Sequence, residues 1–152
     1  MDVLDIALAS ISFLSLKEKL LLKKSLVEKA AAIGASAFPA TVLSSFSRVD
    51  ISCVIGRVVK TSAWNGEETV QYATWAKSVM ETQGIGMVCF EESAFPPLLK
   101  EMFDPPYALF YRGNKDILLK PCVSVVGTRR VCPPCADAAV QFAQDAVKNG
   151  FT

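Results

Sequence analysis

Val123-Ser124-Val125-Val126-Gly127-Thr128-Arg129-Arg130 decides how this chain is read. A short β-branched run ends at a glycine, then a hydroxyl, then two arginines. Such a run reads as a strand. Its end reads in two ways, as a charged turn or as a place that holds a phosphate. At the carboxyl edge of a parallel strand, loop amides and the N-terminus of the next helix converge, which suits an anion. Glycine lets an anion approach the backbone, and arginine adds a planar fork matched to phosphate oxygens. The stretch is neither a complete GxGxxG nor a phosphate-binding Walker loop, so both readings stay open on these residues alone.

Working outward, Cys135–Lys148 reads as a helix that stops at Asn149-Gly150, and Phe151-Thr152 as the opening of a further strand. Strand, turn, helix and strand make the beginning of a βαβ unit. Upstream, Gly86–Phe90 and Tyr107–Tyr111 read as strands, while Phe95-Pro96-Pro97 and Asp104-Pro105-Pro106 interrupt the chain. Before them the chain is helical. Ser15 and Glu18 form a capping box, and Leu16, Leu20, Val27 and Ala31 recur at helical spacing up to Gly34. A second helix follows Pro39 and uses Val42, Leu43 and Phe46. Asn65 caps a third, with Glu67 and Glu68 in its first turn and Val70, Ala73, Ala76 and Met80 on one side. Ile51–Val59 fits a strand and a buried helix equally. The change of character places a boundary near residues 80–86.

Composition narrows the function. The chain has 152 residues, 51% hydrophobic and 20% charged, which describes a globular protein. Sixteen basic and 15 acidic residues leave a net charge of +1, so attraction to nucleic acid has to come from a local patch. No apolar run reaches the ~18 residues of a membrane span. Asp2 and Asp5 precede the lysines, the reverse of a secretory signal, so a cytoplasmic protein is the expectation. There is no histidine, which removes the commonest general base, and no catalytic residue, metal or cofactor is assigned.

Other constellations each have a plain alternative. Cys132-Pro133-Pro134-Cys135 is a CxxC at a helix start, a redox pair or simply two thiols beside a cap. Cys53, Cys89 and Cys122 read as buried small residues. Glu91 and Glu92 read as a charged turn. Lys17, Lys19, Lys23, Lys24 and Lys29 give the long helix a basic face, for an acidic partner or for water. Tyr107, Phe110 and Tyr111 beside Arg112 suit base stacking or the core.

Residues 93–130 carry a resemblance. Phe95-Pro96 with Leu98 and Leu99, then Asp104-Pro105-Pro106 through Leu109-Phe110-Tyr111 to Gly113-Asn114, then Val126-Gly127-Thr128-Arg129 stand in the order of the DNA-processing protein A family, also called DprA or Smf. The similarity extends over residues ~86–152. The family's first-block tyrosine is Phe95 here, and Pro133 and Pro134 lie where a tyrosine-glycine pair is usual.

The resemblance implies an α/β fold: a helical, SAM-like domain at 1–84, then the first part of a Rossmann-like parallel sheet domain at 85–152. It implies binding of single-stranded DNA and delivery of a RecA-type recombinase to it during natural transformation, without catalysis. Gly127, Thr128 and Arg129 are then phosphate-binding residues, with Arg130 added on charge. The family's SGxAxGID segment would follow Thr152, so the chain is expected to hold an incomplete sheet, to be covered by homo-oligomerisation, by strand exchange or by the helical domain packing over the gap. Two other functions are weighed: a nucleotide-binding Rossmann-like protein, and an interaction module without DNA affinity.

Overall fold

The Asp2 carboxylate accepts the Leu4 N–H at 3.1 Å, and α1 (Val3–Ser10) starts there. In the computed structural model, which describes residues 1–34, 38–61 and 64–152, four more helices follow. They are α2 (Leu16–Ile33), α3 (Pro39–Ser45), α4 (Arg48–Ile55) and α5 (Gly66–Thr82). The capping box at Ser15 is present, with the Ser15 N–H donating to Glu18 Oε2 at 2.9 Å. A second one, Ser47 with Asp50, starts α4 and settles the Ile51–Val59 ambiguity. Those residues begin in a helix, which ends where Gly56 takes a left-handed φ of 74°.

The buried stripe of α2 is Lys19, Leu22, Leu26 and Ala30 rather than the expected Leu16, Leu20, Val27 and Ala31. A leucine-rich helix offers two adjacent stripes at helical spacing. Packing against α3 and α4 selects one, leaving Leu16 and Leu20 half-buried and Val27 exposed. Leu4, Ala7 and Leu8 of α1, Leu43 of α3, Ile51 of α4 and Ala73 of α5 complete the centre of the core. Gly66 lets α5 approach α3 closely: a Cβ there would lie 2.5 Å from the Leu43 carbonyl oxygen.

After α5 the chain forms a hairpin. β1 (Ile85–Cys89) pairs antiparallel with β2 (Ala108–Arg112), in the register Met87 opposite Phe110. The loop between them carries the short α6 (Pro97–Lys100), with Phe95 fully buried. Cys89 and Tyr107 join the same core as the helices, and Glu91 pairs with Lys23 of α2 at 3.0 Å. A 3-10 turn (Lys115–Leu119) follows, and α7 (Pro133–Lys148) closes the chain.

The sheet differs from the expected parallel one. Among the described residues it has two antiparallel strands, and Val123–Val126 belongs to neither. A β-branched run needs a partner on each side to become a central strand, and Val123–Val126 is exposed throughout. A trace of parallel pairing exists at its start. The Thr152 N–H donates to the Pro121 carbonyl at 2.8 Å, and the Val123 N–H donates to the Thr152 carbonyl at 2.9 Å. Two bonds made to one residue by positions i−1 and i+1 of a neighbour are the repeat of a parallel ladder. They bring the end of the chain back beside residues 121–123, with α7 as the crossover. From Arg112 onward the described chain has no buried residue.

Candidate nucleic-acid interface

Gly127, Thr128, Arg129 and Arg130 occupy the connection between the extended segment 121–126 and α7, and all four are exposed. Gly127 lacks the left-handed φ that would demand a glycine, and a Cβ there would meet no protein atom within 4 Å. Neither the backbone nor a protein neighbour requires glycine, so its surroundings are open to an approaching group. The Thr128 hydroxyl donates to the Arg130 carbonyl at 2.8 Å, which folds the turn back on itself. Among the described residues, neither the Arg129 nor the Arg130 guanidinium has a hydrogen-bond or ion-pair partner. Two planar cations thus stand in solvent on a short turn.

The first turn of α7 departs from the expectation of free amides. Pro133 and Pro134 begin the helix and have no N–H. The next two amides, of Cys135 and Ala136, both donate to the Cys132 carbonyl at 3.0 Å. The helix terminus therefore keeps its dipole but offers no unbonded donor in that turn. Anion binding here falls to the guanidinium groups and to the loop before the helix.

The other constellations resolve as follows. The basic face of α2 is largely engaged. Lys23 bridges Asp5 at 2.8 Å and Glu91 at 3.0 Å. Burial pulls the Lys23 pKa down, but hydrogen bonds to Asp5 and then Glu91 outweigh it and hold it above the usual lysine value. Lys19 is buried, its ammonium donating to the Ala9 carbonyl at 3.3 Å, and burial lowers its pKa. Lys29 lies 4.4 Å from the Phe46 ring centre, over its face. Glu91 and Glu92 sit in a turn, and Glu92 accepts the Cys89 N–H at 2.8 Å. Tyr107 is core, Tyr111 packs on Gly86, and Phe110 alone of the three aromatics stays exposed. Of the three cysteines expected inside, only Cys89 is buried, its thiol pushed up to about 12 by desolvation; Cys53 and Cys122 are exposed. α4 turns the Cys53 position outward, and Cys122 lies in the segment that packs against nothing. Cys132 and Cys135 are exposed, with sulfurs 3.0 Å apart.

Comparison with known proteins agrees with the sequence resemblance. Residues 86–152 match the family model described as DNA recombination-mediator protein A. That segment, from within β1 to the end of the chain, is similar to the DprA/Smf family. Protein Smf of Borreliella burgdorferi is 33% identical over 57 residues, a stretch covering 38% of this chain and 18% of that relative. The chain thus spans less than a fifth of the curated relative it matches. No solved structure matches the chain significantly. Among the described residues, no helix is long and apolar enough to cross a membrane.

Proposed function

We propose that this chain is a DNA-processing protein of the DprA/Smf type that binds single-stranded DNA through the turn at Gly127–Arg130 and delivers a RecA-type recombinase to it. The observation that carries the reading is the pair of guanidinium groups, Arg129 and Arg130, without a partner among the described residues, beside an open Gly127 within the family-matched segment. Each fork donates to the oxygens of a backbone phosphate, and Thr128 holds the turn that spaces them. The exposed Phe110 offers a flat face for a base, while phosphate contact supplies most of the affinity.

In this reading residues 1–84 are the helical, SAM-like domain and residues 85–152 the first part of a Rossmann-like domain. The chain acts without catalysis, in the cytoplasm. Homo-oligomerisation covers the apolar side chains that Val125, Val126, Val140 and Phe142 leave in solvent. The Pro121, Val123 and Thr152 bonds support the parallel βαβ start that such a domain needs.

The test is fluorescence anisotropy of a labelled single-stranded oligonucleotide at several salt concentrations. Each phosphate neutralised contributes ~0.7 to the salt slope on a single strand. Arg129→Ala and Arg130→Ala each remove about one such contact. Unchanged affinity and slope in the double variant would refute the assignment of this turn. Co-sedimentation of recombinase with the DNA complex tests the delivery step separately.

A further inference from the structure

Cys132 and Cys135 form a pair independent of the DNA reading. Their sulfurs are 3.0 Å apart at the start of α7, and both side chains are exposed. Pro133 and Pro134 between them fix two φ angles, so little chain freedom is lost when the sulfurs are held together. The other exposed thiols lack this arrangement: Cys122 donates to the Lys120 carbonyl at 3.0 Å, and among the described residues Cys53 has no sulfur beside it. A disulfide bond is about 2.05 Å long, so bond formation needs each sulfur to move only about half an ångström. The two thiols are also unequal. The Cys135 thiol and then the Cys135 N–H favour a thiolate on Cys132, which lowers the Cys132 pKa and raises that of Cys135. Among the described residues no third metal-ligating side chain joins the pair, whereas a closed zinc site takes four.

We propose that Cys132 and Cys135 are a thiol–disulfide exchange site whose substrate is an external disulfide of the glutathione type. The Cys132 thiolate attacks one sulfur of the external disulfide. A Cys132 mixed disulfide forms, and the first thiolate leaves. Cys135 gives up its proton, and its sulfur attacks the Cys132 sulfur. The Cys132–Cys135 bond forms and the second thiolate leaves. The protein loses two electrons and two protons, and the external disulfide becomes two thiols. Excess external thiol runs the sequence backwards, so the pair follows the redox poise of its surroundings.

The experiment exposes the full chain to mixtures of oxidised and reduced glutathione, quenches with an alkylating agent, and counts modified cysteines by mass spectrometry. Alkylated in denaturant, which opens buried Cys89, the wild type loses two of its five thiols, as a Cys132–Cys135 link. Cys135→Ser stops at a persistent glutathione adduct on Cys132. Cys132→Ser takes its glutathione adduct at position 135 and forms no internal link. Adducts spread evenly over Cys53, Cys122 and Cys132, or no Cys132–Cys135 link in the wild type, would overturn the proposal. Neither cysteine is buried, so both variants fold, and their unchanged circular dichroism checks this.

Discussion

The Tyr107 hydroxyl donates to the Asp5 carboxylate at 2.5 Å, across 102 positions of sequence. The bond ties the hairpin to the first helix, and Lys23 holds the same carboxylate from α2 at 2.8 Å. Three elements therefore meet on one carboxylate that is mostly shielded from water. Tyr107→Phe removes one donor while Lys23 still satisfies Asp5. The expected cost is about 1 kcal/mol, read as a lower urea midpoint with an unchanged slope. Asp5→Ala strands both Tyr107 and Lys23 and costs more.

Acid acts on a second long-range pair. Arg57 donates to both carboxylate oxygens of Glu18, its Nη2 reaching Oε2 at 3.0 Å, and also to the Phe13 carbonyl at 3.0 Å. The Arg57 hydrogen bond is the main reason the Glu18 pKa falls to about 2 from 4.5. The folded-state value is the lower one, so the stabilisation is complete above pH 4.5 and disappears as pH falls toward 2. Arg57 is half exposed, so screening trims its size. Thermal melts between pH 6 and pH 2 should show a smaller loss of Tm in Glu18→Gln than in the wild type.

Two glycines separate backbone from side-chain crowding. A Cβ at Gly66 meets the carbonyl oxygens of Leu43 and Ser44 at 2.5 and 2.9 Å, which only a shift of α5 against α3 can relieve. A Cβ at Gly86 meets the Tyr111 ring at 2.3 Å, and a ring on an edge strand can rotate away. Gly66→Ala should cost about 2–3 kcal/mol and Gly86→Ala about 1 kcal/mol. Equal losses in denaturant titration would refute the distinction.

Among the described residues Lys19 is the buried charged side chain, its ammonium donating to the Ala9 carbonyl at 3.3 Å and lying 5.8 Å from the Tyr107 ring centre. Burial of an ammonium with one long hydrogen bond and a distant ring face is costly, whereas a methionine fills the same space without a charge. Lys19→Met is expected to be neutral or to raise Tm, while Leu22→Ala, one turn on, costs about 2–5 kcal/mol.

The helices were legible because their punctuation is local. Ser15 with Glu18, Pro39, Asn65 and Gly84 mark ends through bonds made within a few residues. Which face of α2 is buried was not legible, since α3 and α4 choose between two stripes that Leu16–Ala31 offers equally. The hairpin strands were found, but their antiparallel pairing depends on the whole loop at 90–107, which no periodicity encodes. The candidate turn stood out as a glycine followed by two arginines. What the sequence reading overlooked there was the donor count: two prolines were visible at the helix start, and each removes an amide that an anion would use. The reach of Lys23 to Asp5 and Glu91 left no local signal, because its partners lie 18 and 68 positions away.

From Arg112 onward no side chain is buried, so the residues proposed to meet phosphate and disulfide share no packing with the centre of the fold. Folding and chemistry are thus separate genetic targets in this chain. Substitutions at 127–135 can alter ligand preference without unfolding the helices, and repairs inside the helices can accumulate without touching the turn. Such a division allows the exposed arm to diversify quickly on an unchanged body.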